Sequence, residues 1–207
     1  MATLGHLYIV SAPSGAGKTS LVNALAERLD NLQISVSHTT RKKRVGEVDG
    51  VNYHFISIEQ FQKKISDKAF LEYAEVFGNY YGTDHADVER LLCQGIDLIL
   101  EIDWQGARQI RKAMPQAISV FVLPPSLGAL HERLTNRGQD DETVIAKRMQ
   151  AANEEMIHYP EYQYLIINDC FNTALDELES LVISHRLTLE TQQTNHSDLL
   201  NALIQIQ

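Results

Sequence analysis

The stretch of sequence that decides the fold is Ala12-Pro13-Ser14-Gly15-Ala16-Gly17-Lys18-Thr19. It follows the apolar, β-branched run at residues 6–10 and opens into a segment in which Leu21, Leu25 and Leu29 recur at the spacing of one helix face. A buried strand, a loop of small residues and a helix are the context in which a phosphate-binding loop works. We therefore predict that a polyphosphate binds at residues 12–19.

The chemistry of such a loop is carried by its backbone and by two side chains. Backbone N–H groups of the loop and of the helix N-terminus face the phosphates, Lys18 reaches the outer phosphates, and the Thr19 hydroxyl ligates magnesium. The first position of the pattern is usually glycine and here is Ala12, so we expect slight strain or a shifted loop with binding retained. A glycine-rich turn with a chance Lys-Thr pair is the alternative, which the flanking strand and helix disfavour.

Composition and charge limit the classes of function. The 207 residues are 44% hydrophobic and 22% charged, which is ordinary for a soluble globular protein. The net charge of −9 argues against a dedicated nucleic-acid binder, so a polyanion site must concentrate lysine and arginine locally. With no run of transmembrane length and no signal pattern, we expect a cytoplasmic protein without membrane contact. Cys93 and Cys170 stand in apolar contexts and are expected to be buried and reduced.

The order of apolar runs predicts an α/β fold. Near-continuous apolar runs at residues 96–103, 117–123 and 164–167 alternate with helical segments. The helical segments span residues 84–94, 105–113, 127–137, 142–158 and 173–189. Strands that are apolar on both sides belong in a parallel sheet that helices cover on both faces.

Residues 38–84 interrupt this alternation. They are polar and aromatic, and glycines such as Gly82 read as breakers. Short β-like pieces at 52–56 and 70–77 and one helical stretch at 58–66 predict a small, mostly β subdomain inserted after the second strand.

The tail beyond Glu190 carries an apolar face. Leu199, Leu200, Leu203 and Ile204 fall on one side of a short helical segment. Packing onto the body of the same chain is the commoner outcome for such a face, and a subunit contact in a homo-oligomer is the alternative.

Local positive charge is found at residues 37–44, SHTTRKKR. Arg41 and Arg44 can each bind a phosphate through two charge-assisted hydrogen bonds. A solvated basic turn and a nucleic-acid patch are the alternatives. The chain has no further basic cluster, which makes the nucleic-acid interpretation the weaker one.

A second group of side chains suits a purine base. The Glu72 carboxylate can accept from the N1–H and the exocyclic amine of guanine together, a pair that adenine does not offer. The hydroxyl of Thr83 or Ser37 can donate to guanine O6, and Tyr53 and Tyr81 can present phenols to a phosphate. Each of these residues alone is more typical of a core or surface position, so only their combination indicates a site.

Acids and arginines complete the candidate chemistry. Glu101 and Asp103 end an apolar strand on one side of it, at the edge where open α/β sheets bind ligands. One can organise the water shell of magnesium while the other meets the acceptor. Arg133, Arg137 and Arg148 can neutralise the charge that a metaphosphate-like transition state spreads over its oxygens. Acids that merely end a strand and a solvated, salt-bridged helix are the alternatives.

In this order the residues resemble the guanylate kinase family. The similarity runs from about Leu7 to Asp169 and is far more specific than the phosphate loop alone. The matching residues are Ser14 to Thr19, Ser37 to Arg41, Arg44, Gly46-Glu47, Tyr53, Glu72, Gly78 to Thr83, Glu101 to Gly106, Arg137-Gly138, Arg148 and Ile167-Asn168-Asp169.

The resemblance implies a fold and an activity. The fold would be a P-loop three-layer α/β/α arrangement with a parallel core sheet at residues 1–37 and 86–207. An inserted, mainly β GMP-binding subdomain would span residues 38–85, and a helical lid would lie at about 134–150. The activity would be transfer of the γ-phosphoryl group of MgATP to GMP, giving ADP and GDP.

The resemblance also implies a role for each matching residue. ATP would be bound by Ala12, Pro13, Ser14, Gly15, Ala16, Gly17, Lys18 and Thr19, with Asn168 near the adenine. The GMP phosphate would be held by Arg41, Arg44, Tyr53 and Tyr81, and the guanine would be read by Ser37, Glu72, Thr83 and Asp103. Thr19 and, through water, Glu101 would hold Mg²⁺. The catalytic residues would be Lys18, Arg41, Arg137 and Arg148, the last two in the lid.

Two rival functions stay open at this point. A kinase of similar core acting on another small phosphorylated acceptor, such as a sugar phosphate, would have no use for Glu72, Tyr81 or Thr83. A non-catalytic guanylate-kinase-like binding module would usually have lost the phosphate-loop chemistry, whereas Lys18 and Thr19 are present here.

Overall fold

The computed structural model describes residues 4–76, 78–136 and 142–204. In chain order the elements are β1 (Leu7–Ser11), α1 (Lys18–Arg28), β2 (Leu32–Ile34), β3 (His38–Thr39), β4 (His54–Phe55), α2 (Ile58–Ser66), β5 (Phe70–Val76), β6 (Asn79–Asp84), α3 (His85–Cys93), β7 (Asp97–Glu101), α4 (Trp104–Ala113), β8 (Ile118–Leu123), α5 (Leu127–Thr135), α6 (Glu142–Met156), β9 (Tyr164–Ile167), α7 (Phe171–Arg186), α8 (Leu189–Asn195) and α9 (Ser197–Ile204). A short 3-10 turn at Tyr159–Glu161 precedes β9.

A five-stranded parallel sheet forms the centre of the molecule, with strand order β2-β7-β1-β8-β9. Because side chains alternate along a strand, β1 sends Tyr8 and Val10 to one face and Ile9 to the other. On the first face the core includes Leu178 of α7, and on the second it includes Ile110 of α4. The predicted α/β fold with a parallel sheet and helices on both faces is confirmed.

A second sheet has the order β4-β3-β6-β5 and is built from residues within the predicted insertion. Its largest part is the antiparallel pair β5–β6, in which Glu72 stands opposite Thr83. The expectation that Gly82 interrupts secondary structure is wrong, because Gly82 lies inside β6. A Cβ at Gly82 would come within 3.0 Å of the Phe61 ring and 3.1 Å of the Phe70 ring, so the close packing of α2 on this sheet leaves little room for a side chain. The boundaries 38–85 of a separate subdomain stay a prediction.

The cysteines and the tail differ from expectation. Both cysteines are exposed and unpaired, so their predicted burial is wrong. Cys93 ends α3, in which the adjacent Leu92 takes the inward position, and Cys170 lies at the N-terminal boundary of α7. The expected packing of the tail onto the body is also wrong for α9, in which Leu203 is 70% exposed. No helix in the described part of the chain combines the length and apolar character needed to cross a membrane.

Candidate active site

The phosphate loop lies between β1 and α1, and its backbone requires two glycines. Gly15 and Gly17 both have φ of 93°, in the left-handed region that residues with a Cβ rarely adopt. A Cβ on Gly17 would also collide with the Asn168 side chain. The loop reaches α1 with Ala16 fully buried, and the methyl group of Ala12 packs at the edge of the core. Ala12 is therefore accommodated at the position where the pattern usually has glycine.

Asn168, which follows β9, is hydrogen-bonded to this loop. Its side-chain Nδ2 donates to the Ala16 carbonyl at 2.7 Å, and its own carbonyl accepts from the Arg133 guanidinium of α5 at 2.8 Å. With 4% of its surface exposed, Asn168 fixes the loop against two other elements. Its role near an adenine stays a prediction.

Lys18, Thr19 and Glu101 meet where α1 begins and β7 ends. The Lys18 ammonium donates to the Ile102 carbonyl at 3.5 Å and lies 3.8 Å from a Glu101 carboxylate oxygen. The Thr19 hydroxyl donates to the same carboxylate. β7 pairs with β1 in a register that sets Glu101 beside Val10, directly before the loop.

The oxygens of Thr19 and Glu101 fit a magnesium ion of the kind that phosphates help to hold. Mg²⁺ prefers oxygen ligands, keeps several waters, and usually takes only one or two protein side chains beside substrate phosphates. Across residues 4–76, 78–136 and 142–204, no group of three or more His, Cys, Asp or Glu side chains could hold a metal. The donor set therefore suits a metal that arrives with a nucleotide.

Glu72 is a buried carboxylate in the second sheet. Only 3% of its surface is exposed, and the Thr83 hydroxyl donates to it at 2.6 Å across the β5–β6 pair. Gly106 in the first turn of α4 lies so close that any Cβ there would collide with the carboxylate. Burial raises the pKa of Glu72 from 4.5 to about 7; the hydrogen bond from Thr83 opposes this shift and the charge of Asp103 adds to it.

Asp103 lies between the end of β7 and the start of α4. Its carboxylate caps the N-terminus of α4 by accepting from the Gly106 backbone N–H at 2.9 Å. It also accepts from the side-chain amide of Gln105 at 3.1 Å. This fixes Asp103 just beyond the end of β7, on the carboxyl edge of the sheet where ligands of open α/β folds bind.

A cavity of about 300 Å³ joins the two groups of residues. Its lining from the phosphate loop and α1 consists of Ala12, Pro13, Ser14, Gly15, Gly17, Lys18, Thr19 and Ser20. Its lining from the rest of the chain consists of Ser37, Tyr53, Glu72, Ala74, Val76, Tyr81, Glu101, Ile102, Asp103 and Glu155. The structure thus brings most of the residues predicted for ATP and for guanine to one cavity.

Arg41 lies beside this cavity and is engaged by a carboxylate. Its guanidinium donates to both Glu47 oxygens, at 2.6 and 3.1 Å, and lies 5.4 Å from the centre of the Tyr53 ring. The Arg44 backbone N–H donates to Glu47 at 2.7 Å, while the Arg44 residue itself is exposed. Hydrogen bonds from Arg41 and Arg44 hold the pKa of Glu47 below its usual range. The Glu47 carboxylate is thus paired with Arg41, which is predicted to bind a phosphate.

The predicted lid residues divide between described and undescribed parts of the chain. Arg148 lies on α6, whereas Arg137 lies outside the described residues. The sequence interpretation missed Glu155, which is two turns after Arg148 on the same helix and accepts from the Ser14 N–H at 3.0 Å. The only signal for it was its helical register with Arg148, because a glutamate in a polar helix is otherwise typical of a solvated face.

Comparisons with known proteins agree with one another. The family model described as "Guanylate kinase" matches residues 5–185. A guanylate kinase of Saccharophagus degradans is 60% identical over 204 residues, covering 99% of this chain and 100% of that protein. A guanylate kinase of Chromohalobacter salexigens is 57% identical over 200 residues, covering 97% of this chain and 93% of that protein. The crystal structure of guanylate kinase from Anaplasma phagocytophilum matches with a TM-score of 0.77 at 30% identity, covering 99% of this chain and 98% of that one.

Proposed function

Since this chain belongs to the guanylate kinase family, we propose that its cavity between the phosphate loop and the second sheet is where ATP and GMP meet. The chain is an ATP:GMP phosphotransferase. The observation that carries the assignment of the site is that one cavity is lined both by the loop with Lys18 and by the buried carboxylate of Glu72. The roles of individual residues follow from this placement.

At the ATP end, the loop supplies backbone N–H groups and Lys18 supplies a positive charge. Both suit a polyphosphate, because N–H groups at a helix N-terminus favour negative charge. Mg²⁺ bound with ATP would neutralise phosphate charge, with Thr19 as a direct ligand and Glu101 acting through water. Thr19 can bind the ion only through a lone pair of its hydroxyl oxygen, so the hydroxyl hydrogen must point elsewhere. Glu101 accepts that hydrogen.

At the GMP end, Glu72 reads the base as a carboxylate. An ionised carboxylate accepts from both N1–H and the exocyclic amine of guanine, and Asp103, Thr83 and Ser37 supply further polar contacts. Because burial raises the pKa of Glu72 to about 7, a protonated Glu72 must lose its proton before it can accept both hydrogen bonds from guanine. Binding of GMP is therefore expected to weaken as the pH falls below about 7.

The GMP phosphate is held by Arg41 and Arg44 with the phenols of Tyr53 and Tyr81. Arg41 makes a bidentate pair with Glu47, so a phosphate would replace one doubly hydrogen-bonded anion by another. The Tyr53 and Tyr81 rings lie 5.9 Å apart, centre to centre, which keeps the two phenols on one side of the cavity.

Catalysis consists of positioning and charge stabilisation. Two anionic nucleotides repel each other, so cations must hold the acceptor oxygen in line with the γ-phosphorus. Lys18 at the start of α1 and Arg41, two residues after β3, do this in the described part of the site, and Arg137 and Arg148 are the proposed lid arginines. No side chain needs to form a covalent intermediate, and exclusion of water protects ATP from hydrolysis.

Three further properties belong to this proposal. A cytoplasmic location is supported by two unpaired, exposed cysteines, which suit a reducing compartment. The net charge of −9 supports small-molecule substrates over nucleic acid. Self-association through α9 is supported by Leu199, Leu203 and Ile204, which are 55%, 70% and 69% exposed.

A panel of acceptors tests the proposed reading of the base. With ATP and Mg²⁺ present, ADP release is measured with GMP, AMP, UMP and CMP as acceptors. We expect GMP to exceed AMP by about 10³-fold or more in kcat/KM, because AMP would leave the Glu72 carboxylate without the donor pair that it needs. Equal rates with AMP and GMP would contradict the role of Glu72.

A further inference from the structure

Glu155 places a carboxylate on the phosphate loop. It lies near the C-terminal end of α6, and its Oε2 accepts from the Ser14 backbone N–H at 3.0 Å. That N–H belongs to the row of donors that a nucleotide phosphate is expected to use. The loop is thus hydrogen-bonded to an anion of its own chain.

The surroundings of Glu155 are strongly acidic. Glu72, Glu101, Asp103 and Glu155 all line the cavity, and Lys18 is the cation among its described lining residues. Burial raises the pKa of Glu155, the Ser14 N–H and the charge of Lys18 oppose this shift, and the charge of Asp103 adds to it. A triphosphate entering the loop would meet this carboxylate at hydrogen-bond distance from the same donor, and the two anions cannot share it.

We propose that Glu155 is a positioning residue that competes with the phosphates of ATP for the Ser14 N–H, so that filling the loop releases the C-terminal end of α6. The proposal rests on the proposed function, since it takes the loop to be the ATP site. Binding of phosphates to the loop would therefore change the contacts of α6, the helix that carries Arg148.

The packing of α6 supports this link between the loop and the helix. α6 is held to α5 through an apolar cluster that contains Leu130, Leu134, Ile145 and Ala152. Gly15 of the loop lies against the same two α5 leucines, Leu130 and Leu134. The loop therefore contacts α5 by apolar packing and α6 by a hydrogen bond. When the hydrogen bond is exchanged for a phosphate, α6 keeps its apolar partner and loses its polar tie to the loop.

A purely structural role for Glu155 predicts the opposite sign of effect. If the carboxylate only held the loop in its binding shape, removing its charge would loosen the loop and weaken ATP binding. If the carboxylate competes with the phosphates, removing its charge strengthens binding. The direction of the change in affinity therefore separates the two roles.

The experiment compares Glu155→Gln with wild type in the full chain. Dissociation constants are measured calorimetrically for ATP, for GMP and for inorganic tripolyphosphate, which probes the loop without a base. We expect ATP and tripolyphosphate to bind about 10-fold more tightly to Glu155→Gln, because a hydrogen bond to a charged group no longer has to be broken. The KM for ATP is expected to fall similarly, and the Kd and KM for GMP are expected to stay within about twofold.

Two controls exclude a general charge effect. Glu154→Gln removes the same charge from the adjacent, exposed position of α6 and is expected to leave all three dissociation constants within about twofold. Raising the salt from about 0.1 M to about 0.5 M screens distant charges, but displacement of a direct contact persists. Glu155→Ala, which removes both charge and acceptor, should tighten tripolyphosphate binding at least as much as Glu155→Gln.

The outcomes are distinct. Unchanged or weaker binding of tripolyphosphate to both Glu155 variants, or equal tightening in Glu154→Gln, would overturn the competition. GMP-dependent ADP release by wild type in the same preparation tests the proposed function separately. A wild-type protein that turns over GMP while the Glu155 variants bind no more tightly would sink only the inference about Glu155.

Discussion

Replacement of Lys18 by alanine is expected to lower kcat/KM for phosphoryl transfer by about 10³-fold or more. The Lys18 ammonium lies between the end of β7 and the phosphate loop, 3.5 Å from the Ile102 carbonyl and 3.8 Å from Glu101. It is the one cation from α1 that lines the cavity in the described part of the chain. Because the transition state gathers negative charge on the transferred group, loss of a fixed cation there is felt more in kcat than in KM.

The matched control for this prediction is Lys112→Ala. Lys112 lies on the exposed side of α4, in its last turn, and its removal changes the net charge equally. We expect Lys112→Ala to keep kcat/KM within about twofold of wild type, as for an exposed surface charge. Both variants should unfold at similar temperatures. A folded Lys18→Ala protein that retains turnover within about tenfold of wild type would remove Lys18 from the catalytic machinery.

The second large effect is expected from Glu72. Glu72→Gln should raise the KM for GMP by about 10²- to 10³-fold, because an amide presents at most one acceptor oxygen and places a donor opposite a donor of guanine. The KM for ATP should change by no more than about threefold, since Glu72 belongs to the second sheet and not to the loop. Steady-state kinetics with each nucleotide varied in turn give both constants.

The same substitution carries its own control for folding. The pKa of Glu72 is raised in the folded protein, so stability from the protonated carboxyl is present below the unfolded value of 4.5 and is lost as the pH rises towards about 7. Glutamine stays neutral, so ligand-free Glu72→Gln should be more stable than wild type at about pH 8, by about 1–3 kcal/mol, and the difference should shrink at about pH 5. Glu75→Gln, exposed on the same strand, should change neither stability nor GMP kinetics.

A Glu72→Gln protein that is folded and binds GMP like wild type would contradict the assignment of guanine recognition. Loss of both GMP and ATP kinetics together would instead indicate damage to the whole cavity. The combination of higher stability and lost GMP affinity is the expected sign that burial of this charge serves binding and costs stability.

The fold could be predicted because its signals are local and repeated. The loop at residues 12–19 is flanked by a strand that is buried along its whole length and by a helix with Leu21 and Leu25 on its inner face. The apolar runs that form β7, β8 and β9 alternate with helices along the chain. This alternation is typical of a parallel sheet, because each helix connects two parallel strands. β6 was missed because tyrosine and glycine in residues 79–84 resemble a turn, whereas the strand is held by antiparallel pairing with β3 and β5 on its two sides.

The residue types of the site could be predicted more readily than the contacts that its side chains make with one another. Glu72, Thr83 and Asp103 converge because β5, β6 and the start of α4 meet, which no local pattern encodes. Glu47 accepts hydrogen bonds from Arg41, and Glu155 accepts one from the Ser14 N–H. In each case a carboxylate of the chain binds a donor that is predicted to bind phosphate, and the sequence pattern does not indicate this contact. The cysteines were misjudged because apolar neighbours in sequence do not decide which side of a helix faces the core.

Transfer of a labelled phosphoryl group tests the central claim most directly. Wild-type protein is mixed with Mg²⁺, ATP carrying a radioactive γ-phosphorus and an excess of GMP, and the nucleotides, inorganic phosphate and protein are separated during the first turnovers. Because both nucleotides are proposed to bind in one cavity and the transfer is proposed to be direct, the label should pass to GDP alone. Label on the protein before GMP is added, or label released as inorganic phosphate while GMP is left unchanged, would contradict direct transfer between two bound nucleotides.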